Sequence, residues 1–398
     1  MLGGAMIITK IECFPVQFKY KTVHHMGSGT IPASEPVVVK IHTDEGITGI
    51  AEAGHTSLGY IGEGQASLMA IINEWFAPRL LLGADPMNIE KLTTQMDRMT
   101  KHNNQAITAI DFALYDLKGK KLGVPVYQLL GGLCNEKIPL GTVITYGPPE
   151  VMAAKAVKIK KAGFKSIKLK VAANDTAKDI ESIKAVREAI GYDMRLGMDA
   201  NGGWDYYQAL TALKKMEKYD LFMFEQPVPY WDIAGMARLR QKVGIPICAD
   251  ESTTELSHLL EIIEQKAADA FFLKVARVGG LCKSQKWVAI AKAANIPVMC
   301  GCLTGSGFEC AAQAHFIAGT EWMGHIEHEN TGPLTLHDCL DTVSQPITDD
   351  LAVKVPRIEN GFLYPPTGPG LGMELNEELM QKIITPGKKP TVVEYKKG

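Results

Sequence analysis

Four residues, Asp199, Glu225, Asp250 and Lys274, follow one another at intervals of 26, 25 and 24 residues. Each closes a short apolar run, at 195–199, 221–225, 245–250 and 270–274. A fifth run, 165–170, ends on Lys168 and Lys170. Runs of this length, rich in branched and aromatic residues, read as buried strands. Helical patterns such as 178–190 and 205–218 lie between them. One strand, one helix and two loops use about 25 residues, so the same chemical position recurs once per β/α unit, at the strand's C-terminal end. A closed barrel brings such ends round one centre, whereas a doubly wound open sheet does not.

The alternation begins near residue 137. Eight strand candidates are counted, at 138–145, 165–171, 195–199, 221–225, 245–250, 270–275, 296–300 and 323–327. The expected fold is therefore α/β, a (β/α)8-type barrel over 137–356. Ahead of it, 6–20 reads as a strand, and 36–53 as a hairpin around Asp44-Glu45-Gly46. Stretches 63–79, 86–101 and 104–122 read as helices, the last stopped by Gly123. Between the first strand and the hairpin, residues 20–30 lack periodicity and carry glycines, which predicts a loop. Residues 1–136 are thus expected to form an α+β capping domain with a lid near 20–30. The Gly- and Pro-rich tail, 357–398, is expected to return and complete that domain.

Composition narrows the partners. With a net charge of −2, the chain suits neither nucleic acid nor an anionic membrane surface. No apolar run approaches the roughly 18 to 20 residues of a membrane span. The N-terminus has no charged segment followed by a long apolar one, and the eight cysteines contain no CxxC pair. A cytoplasmic setting with reduced thiols and a small-molecule substrate is expected.

Asp199, Glu225 and Asp250, from three consecutive strands, would repel one another inside a barrel mouth. A hard divalent cation relieves that repulsion, and three monodentate oxygens leave about half of an octahedral shell open. Mg²⁺ is therefore expected, with Mn²⁺ as the substitute. Lys168 and Lys170 flank the trio on one side and Lys274 on the other. Lysines two apart on a strand share a face. Near other cations a lysine loses basicity and becomes usable as a base, so Lys168 is expected to tune Lys170. Glu251 is expected to hydrogen-bond Lys274. A metal between opposed lysines suits removal of the proton α to a carboxylate, with the enediolate held by the metal.

These motifs resemble the enolase superfamily, and within it the muconate lactonising (muconate cycloisomerase) subgroup. The resemblance rests on Lys168-Leu169-Lys170, Asp199-Ala200-Asn201, Glu225-Gln226-Pro227, Ala249-Asp250-Glu251-Ser252 and Lys274. It extends to 109–120, to the Gly123-Val124-Pro125 segment and to Pro369-Gly370-Leu371-Gly372, and so covers nearly the whole chain. It implies that Asp199, Glu225 and Asp250 bind Mg²⁺ and that Lys170 and Lys274 form the acid/base pair. Lys168 would support Lys170, with Asn201 and Glu251 behind the ligands. The mandelate racemase subgroup uses a His–Asp pair on later strands, and Lys274 argues against that subgroup here. A homo-oligomer is expected from the family.

Substrate identity is expected in His25, Cys302 and Glu327. Dipeptide epimerases of the subgroup carry Asp-x-Asp near the eighth strand, where this chain has His325-Ile326-Glu327-His328-Glu329. The reading favours an isomerase, either a racemase or epimerase of an amino-acid derivative, or a cycloisomerase. The alternative is a dehydratase of a hydroxy acid or hydroxyproline-type substrate. Two remoter readings are a Schiff-base lysine enzyme and a non-catalytic metal-binding barrel.

Overall fold

A computed structural model describes residues 6–26, 29–54, 60–171, 175–329 and 350–396, without the side chains of 19–32. Three β-branched strands open the chain: β1 (Ile8–Pro15), β4 (Val37–Thr43) and β5 (Thr48–Ala53). They pair antiparallel, the last two through the turn expected at Asp44-Glu45-Gly46. The tail strand Thr391–Glu394 adds to the free edge of β1, giving a four-stranded sheet. Helix α1 (Gln65–Ala70) runs on into a wide π-type helix (Ile71–Leu81) with Pro78 inside it. Helices α2 (Ile89–Met99), α3 (Asn104–Leu122) and α4 (Val126–Leu130) follow. α3 is buried nearly all round, polar residues such as Asn104, Thr108 and Asp111 included. Against the sheet it comes so close that a Cβ on Gly49 would lie 2.1 Å from the Ala113 carbonyl oxygen. It ends at Gly123, whose φ of +69° lets Val124 N–H turn back to Gly119 O at 2.9 Å.

The stretch expected as a lid loop is instead a hairpin, β2 (Phe18–Met26) with β3 (Gly29–Ser34). Its sequence lacks the apolar alternation that announces a half-buried strand.

From Ile138 the chain winds into a barrel. Its parallel strands are β7 (Gly141–Ile144), β8 (Ser166–Lys170), β9 (Arg195–Asp199), β10 (Leu221–Glu225), β11 (Ile247–Ala249), β12 (Ala270–Leu273) and β13 (Val298–Cys300). β6 (Ile138–Pro139) precedes them and pairs with the short tail strand Phe362–Leu363. The outer helices are α5 (Pro149–Lys161), α6 (Thr176–Ile190), α7 (Tyr206–Met216), α8 (Ile233–Lys242), α9 (Leu256–Glu264), the single turn α10 (Val275–Val278), α11 (Leu281–Ala293) and α12 (Gly307–Ala318).

The eighth strand is not at 323–327. Glu321–Met323 is a helical turn, and among the described residues closure falls to two bridges, Leu140 with His328 and Gly301 with Glu329. The alternating polar residues 325, 327 and 329 therefore do not share one strand face. The fold is an N-terminal capping domain on a C-terminal (β/α)8 barrel.

Candidate active site

Register brings the marked residues together. Lys170 pairs with Asp199, and Asp199 with Glu225. Asp250 lies one residue beyond β11, and Lys274 one beyond β12. Asp199, Glu225, Asp250, Lys168 and Lys274 are all buried. Burying so many charges is tolerable only if they are paired and hydrogen-bonded.

They are paired in two groups. On one side, Lys168 Nζ lies 2.7 Å from Glu225 Oε2 and 3.6 Å from Asp199 Oδ2. Lys170 donates to Asp199 and, at 2.9 Å, to Asn201 Oδ1. On the other side, Lys274 donates to Asp250 and, at 2.7 Å, to Tyr60 Oη. Arg277 Nη2 also binds Asp250, at its carbonyl oxygen (2.7 Å) and its carboxylate. Between the groups lies Phe272, its ring centroid 4.3 Å from Lys168 Nζ and 5.2 Å from Lys274 Nζ. An aromatic face steadies a desolvated ammonium without taking its proton.

Asn201 takes a left-handed backbone, φ +45°, that asparagine tolerates. Its amide bridges Lys170 to Glu251, with Nδ2 2.9 Å from Glu251 Oε1. Glu251 thus serves the Lys170 side. The expected bond to Lys274 is replaced by Tyr60 and Asp250, which are the groups within reach of that ammonium. Gln226, also at positive φ (+35°), accepts from Asp250 N at 3.0 Å and Ser252 N at 3.3 Å, and so fixes the turn that carries Asp250.

Electrostatics follow from these partners. Burial would raise Asp199, but Lys170 and Lys168 outweigh it and hold the carboxyl at about 2. Burial would likewise raise Asp250, and Arg277 and Lys274 keep it far below the carboxylate range. Glu225 goes the other way, pushed up by burial and by Asp199 against Lys168. At Lys170 burial lowers the basicity, Asp199 raises it, and Lys168 lowers it in the sense expected; the net shift is upward. Lys168, surrounded by Glu225, Glu329 and Asp199, is also raised against its burial.

Three expected substrate contacts fare differently. Cys302 follows β13 at the mouth of the barrel and is partly exposed. The side chain of His25 lies outside the described residues. Glu327 is not at the mouth: its Oε2 is 2.5 Å from Arg195 Nη1, at the opposite end of β9 from Asp199. The acid that faces the mouth is instead Glu329, whose Oε2 lies 2.8 Å from Lys168 Nζ. Its backbone bridge to Gly301 aims it inward. Reasoning from sequence also passed over Arg277 and Tyr60. Arg277 could have been found one helical turn beyond Lys274. Tyr60 sits beside glycines, without periodicity, and offered no signal.

Among the described residues, no three acidic, His or Cys side chains are gathered as a ready metal group, since each carboxylate of the trio leans on a cation. The donor set nonetheless fits a hard cation. Three buried carboxylates at adjacent strand ends supply oxygens only, and Glu225 Oε1 is buried with no hydrogen-bond partner.

Residues 8–131 match the model of the mandelate racemase/muconate lactonizing enzyme N-terminal domain, and residues 151–379 that of the enolase C-terminal-like domain. The chain belongs to the mandelate racemase/muconate lactonizing enzyme family. Family members of known activity lie close to it. The N-succinyl-L-Arg/Lys racemase of Bacillus cereus is 32% identical over 379 residues, 95% of this chain and 98% of its own length. A chloromuconate cycloisomerase of Cupriavidus necator is 31% identical over 366 residues, 92% of this chain and 93% of its own. Among structures, a family protein from Azoarcus sp. EbN1 superposes with a TM-score of 0.91 at 48% identity, covering 97% of this chain and all of that one. A dipeptide epimerase of Cytophaga hutchinsonii, solved with Mg and the dipeptide D-Ala-L-Val, gives 0.86 at 27% identity, covering 98% of this chain and 100% of that one. These relatives include a racemase, epimerases and cycloisomerases, which supports an isomerase for this family member and places it with the muconate lactonizing branch of the enolase superfamily. No helix among the described residues is long and apolar enough to cross a membrane.

Proposed function

We propose that the protein racemises or epimerises the α-carbon of an amino-acid derivative bearing a free carboxylate. The observation carrying this is the pair of lysines, Lys274 buried and Lys170 mostly buried, set in separate ion-paired groups on either side of the Asp199–Glu225–Asp250 trio. A proton removed on one face and returned on the other needs one base per face. Asp199, Glu225 and Asp250 would hold Mg²⁺. When bound, that ion supplies the positive charge that stabilises negative charge building up on the substrate carboxylate. Lys170, oriented by Asn201, moves the proton on one side, and Lys274, oriented by Tyr60, moves it on the other. Lys168 stays charged between Glu225 and Glu329. Burial of most of the group strengthens its charge interactions.

The cytoplasmic setting and self-association belong to the same proposal. The buried thiols of Cys13, Cys248, Cys282 and Cys300 suit a reducing compartment. The cycloisomerase relatives make single-lysine chemistry on a muconate the second reading. N-succinyl and other N-acyl amino acids, dipeptides, proline betaines and muconates incubated with enzyme and Mg²⁺, with and without EDTA, separate the two. Loss of optical rotation from an amino-acid derivative, abolished by EDTA, supports the first reading. Lactone formation from a muconate, with no racemisation, supports the second.

A further inference from the structure

Lys274 stands on a weak piece of backbone. Its carbonyl opens the four-residue turn α10, accepting from Arg277 N at 2.8 Å and Val278 N at 3.2 Å. Gly279 and Gly280 follow, at φ +106° and +94°. A single helical turn ending in two glycines has little intrinsic stiffness. Asp250 and Tyr60 hold the ammonium, but something outside the turn must fix its backbone.

The capping helix α3 supplies that support along one stripe, residues 104, 108 and 111, at i, i+4 and i+7. Asn104 Nδ2 donates to Glu255 Oε1 at 3.1 Å. Thr108 Oγ1 donates to the Ala276 carbonyl at 2.7 Å, in the middle of α10. Asp111 accepts from Leu281 N at 2.6 Å and Cys282 N at 3.3 Å, closing the N-terminus of α11 just past the glycines. Gly280 is what allows the approach, because a Cβ there would lie 2.4 Å from Asp111 Oδ1. Thr108 and Asp111 are both fully buried. Lys170 is held differently, by Asp199 and Asn201, two barrel residues.

We propose that Thr108 is a positioning residue for Lys274, acting through the Ala276 carbonyl, with Asp111 anchoring the far end of the same turn. The capping domain thereby sets one of the two lysines and leaves the other to the barrel. The proposal rests on the reading of Lys274 as an acid/base group, but its test does not.

The test is competitive acetylation of the Mg²⁺-supplemented protein with trace acetic anhydride, reading Lys274 and Lys170 by peptide mass spectrometry. The two lysines serve as each other's control within one molecule, and no substrate is needed. Thr108→Val keeps the shape and removes the donor. It is expected to change the Lys274:Lys170 labelling ratio about fivefold, the order of one lost neutral hydrogen bond. Thr108→Ser is expected to restore the ratio, and Asp111→Asn, a milder lesion at the other end, to move it in the same direction as Thr108→Val. A ratio unchanged in both Thr108→Val and Asp111→Asn would overturn the proposal. So would equal shifts at both lysines, which mark general loosening. A protein that fails to racemise any amino-acid derivative while the ratio shifts as expected sinks the two-lysine reading and leaves the positioning role standing.

Discussion

Two sets of buried carboxyls in this molecule behave in opposite ways. In the barrel mouth, Asp199 and Asp250 are held ionised by lysine and arginine. At the boundary between cap and barrel, Glu52, Glu309, Asp111 and Asp350 are equally buried, and burial pushes them to about 8, 7, 7 and 6. Their partners there are mostly backbone amides: Ser306 and Glu309 N–H for Glu52, Leu303 and Gly305 N–H for Glu309, Gly307 and Ala352 N–H for Asp350. Amides satisfy a carboxyl oxygen without offsetting the cost of burying its charge, whereas the paired cations at Asp199 and Asp250 do both; Glu225, with Asp199 repelling it as Lys168 attracts it, is pushed up. The contrast separates acids that seat one domain on the other from acids kept charged for chemistry.

The sharpest way to break that contrast is to neutralise one member of the mouth. Asp250→Asn leaves Lys274 and Arg277 buried without their carboxylate. In metal-free protein it is expected to cost about 3–5 kcal/mol of unfolding free energy, measured in urea. A loss below about 1 kcal/mol would place Asp250 with the interface acids.

Metal addition separates the sets next. Mg²⁺ at about 100 times its dissociation constant is expected to stabilise the wild type by about 2.7 kcal/mol. Asp199→Asn and Glu225→Gln should lose that gain, while Glu52→Gln keeps it. Thermal unfolding with titrated Mg²⁺ reads all three.

Titration gives the signs. Glu52 sits at about 8 in the folded protein, above its ordinary 4.5. Its contribution is therefore complete below about pH 4.5 and is lost as pH rises toward 8. Asp199, at about 2 against 3.8, contributes stability that is complete above 3.8 and lost as pH falls toward 2. Urea midpoints of the metal-free wild type should fall between about pH 5 and pH 8, and Glu52→Gln should fall less steeply. An equally steep fall in that variant would remove Glu52 from the account.

The smallest effect is expected at Glu327. Its partner Arg195 is 43% exposed, and such pairs contribute about 0–1 kcal/mol. Glu327→Gln should leave turnover within about twofold. Glu329→Gln, which strips a partner from buried Lys168, should not.

What could be read in the sequence was what repeats. Asp199, Glu225, Asp250 and Lys274 announce themselves because each ends a strand of a repeating unit, and the barrel follows from their spacing. Tyr60 reaches Lys274 from outside that period, across the domain boundary. Glu327 and Glu329 look equivalent under strand alternation and are not, because closure at His328 and Glu329 uses bridges instead of a strand. The pairing of Phe18–Met26 with Gly29–Ser34 was hidden because its sequence lacks apolar alternation. The upward shift at Lys170 depends on Asp199 being in contact, which spacing alone does not reveal.

The central claim is that Lys170 and Lys274 serve opposite faces of one α-carbon. It is tested most directly by α-proton exchange in D₂O with Mg²⁺, following each enantiomer of the N-acyl amino acid on which the wild type is most active. Wild type should wash deuterium into both enantiomers. Lys170→Ala and Lys274→Ala should each lose about 10²–10⁴-fold with one enantiomer only, and with opposite enantiomers. Loss of exchange from both enantiomers in one variant, with the other variant unaffected, would contradict the account and leave a single working lysine.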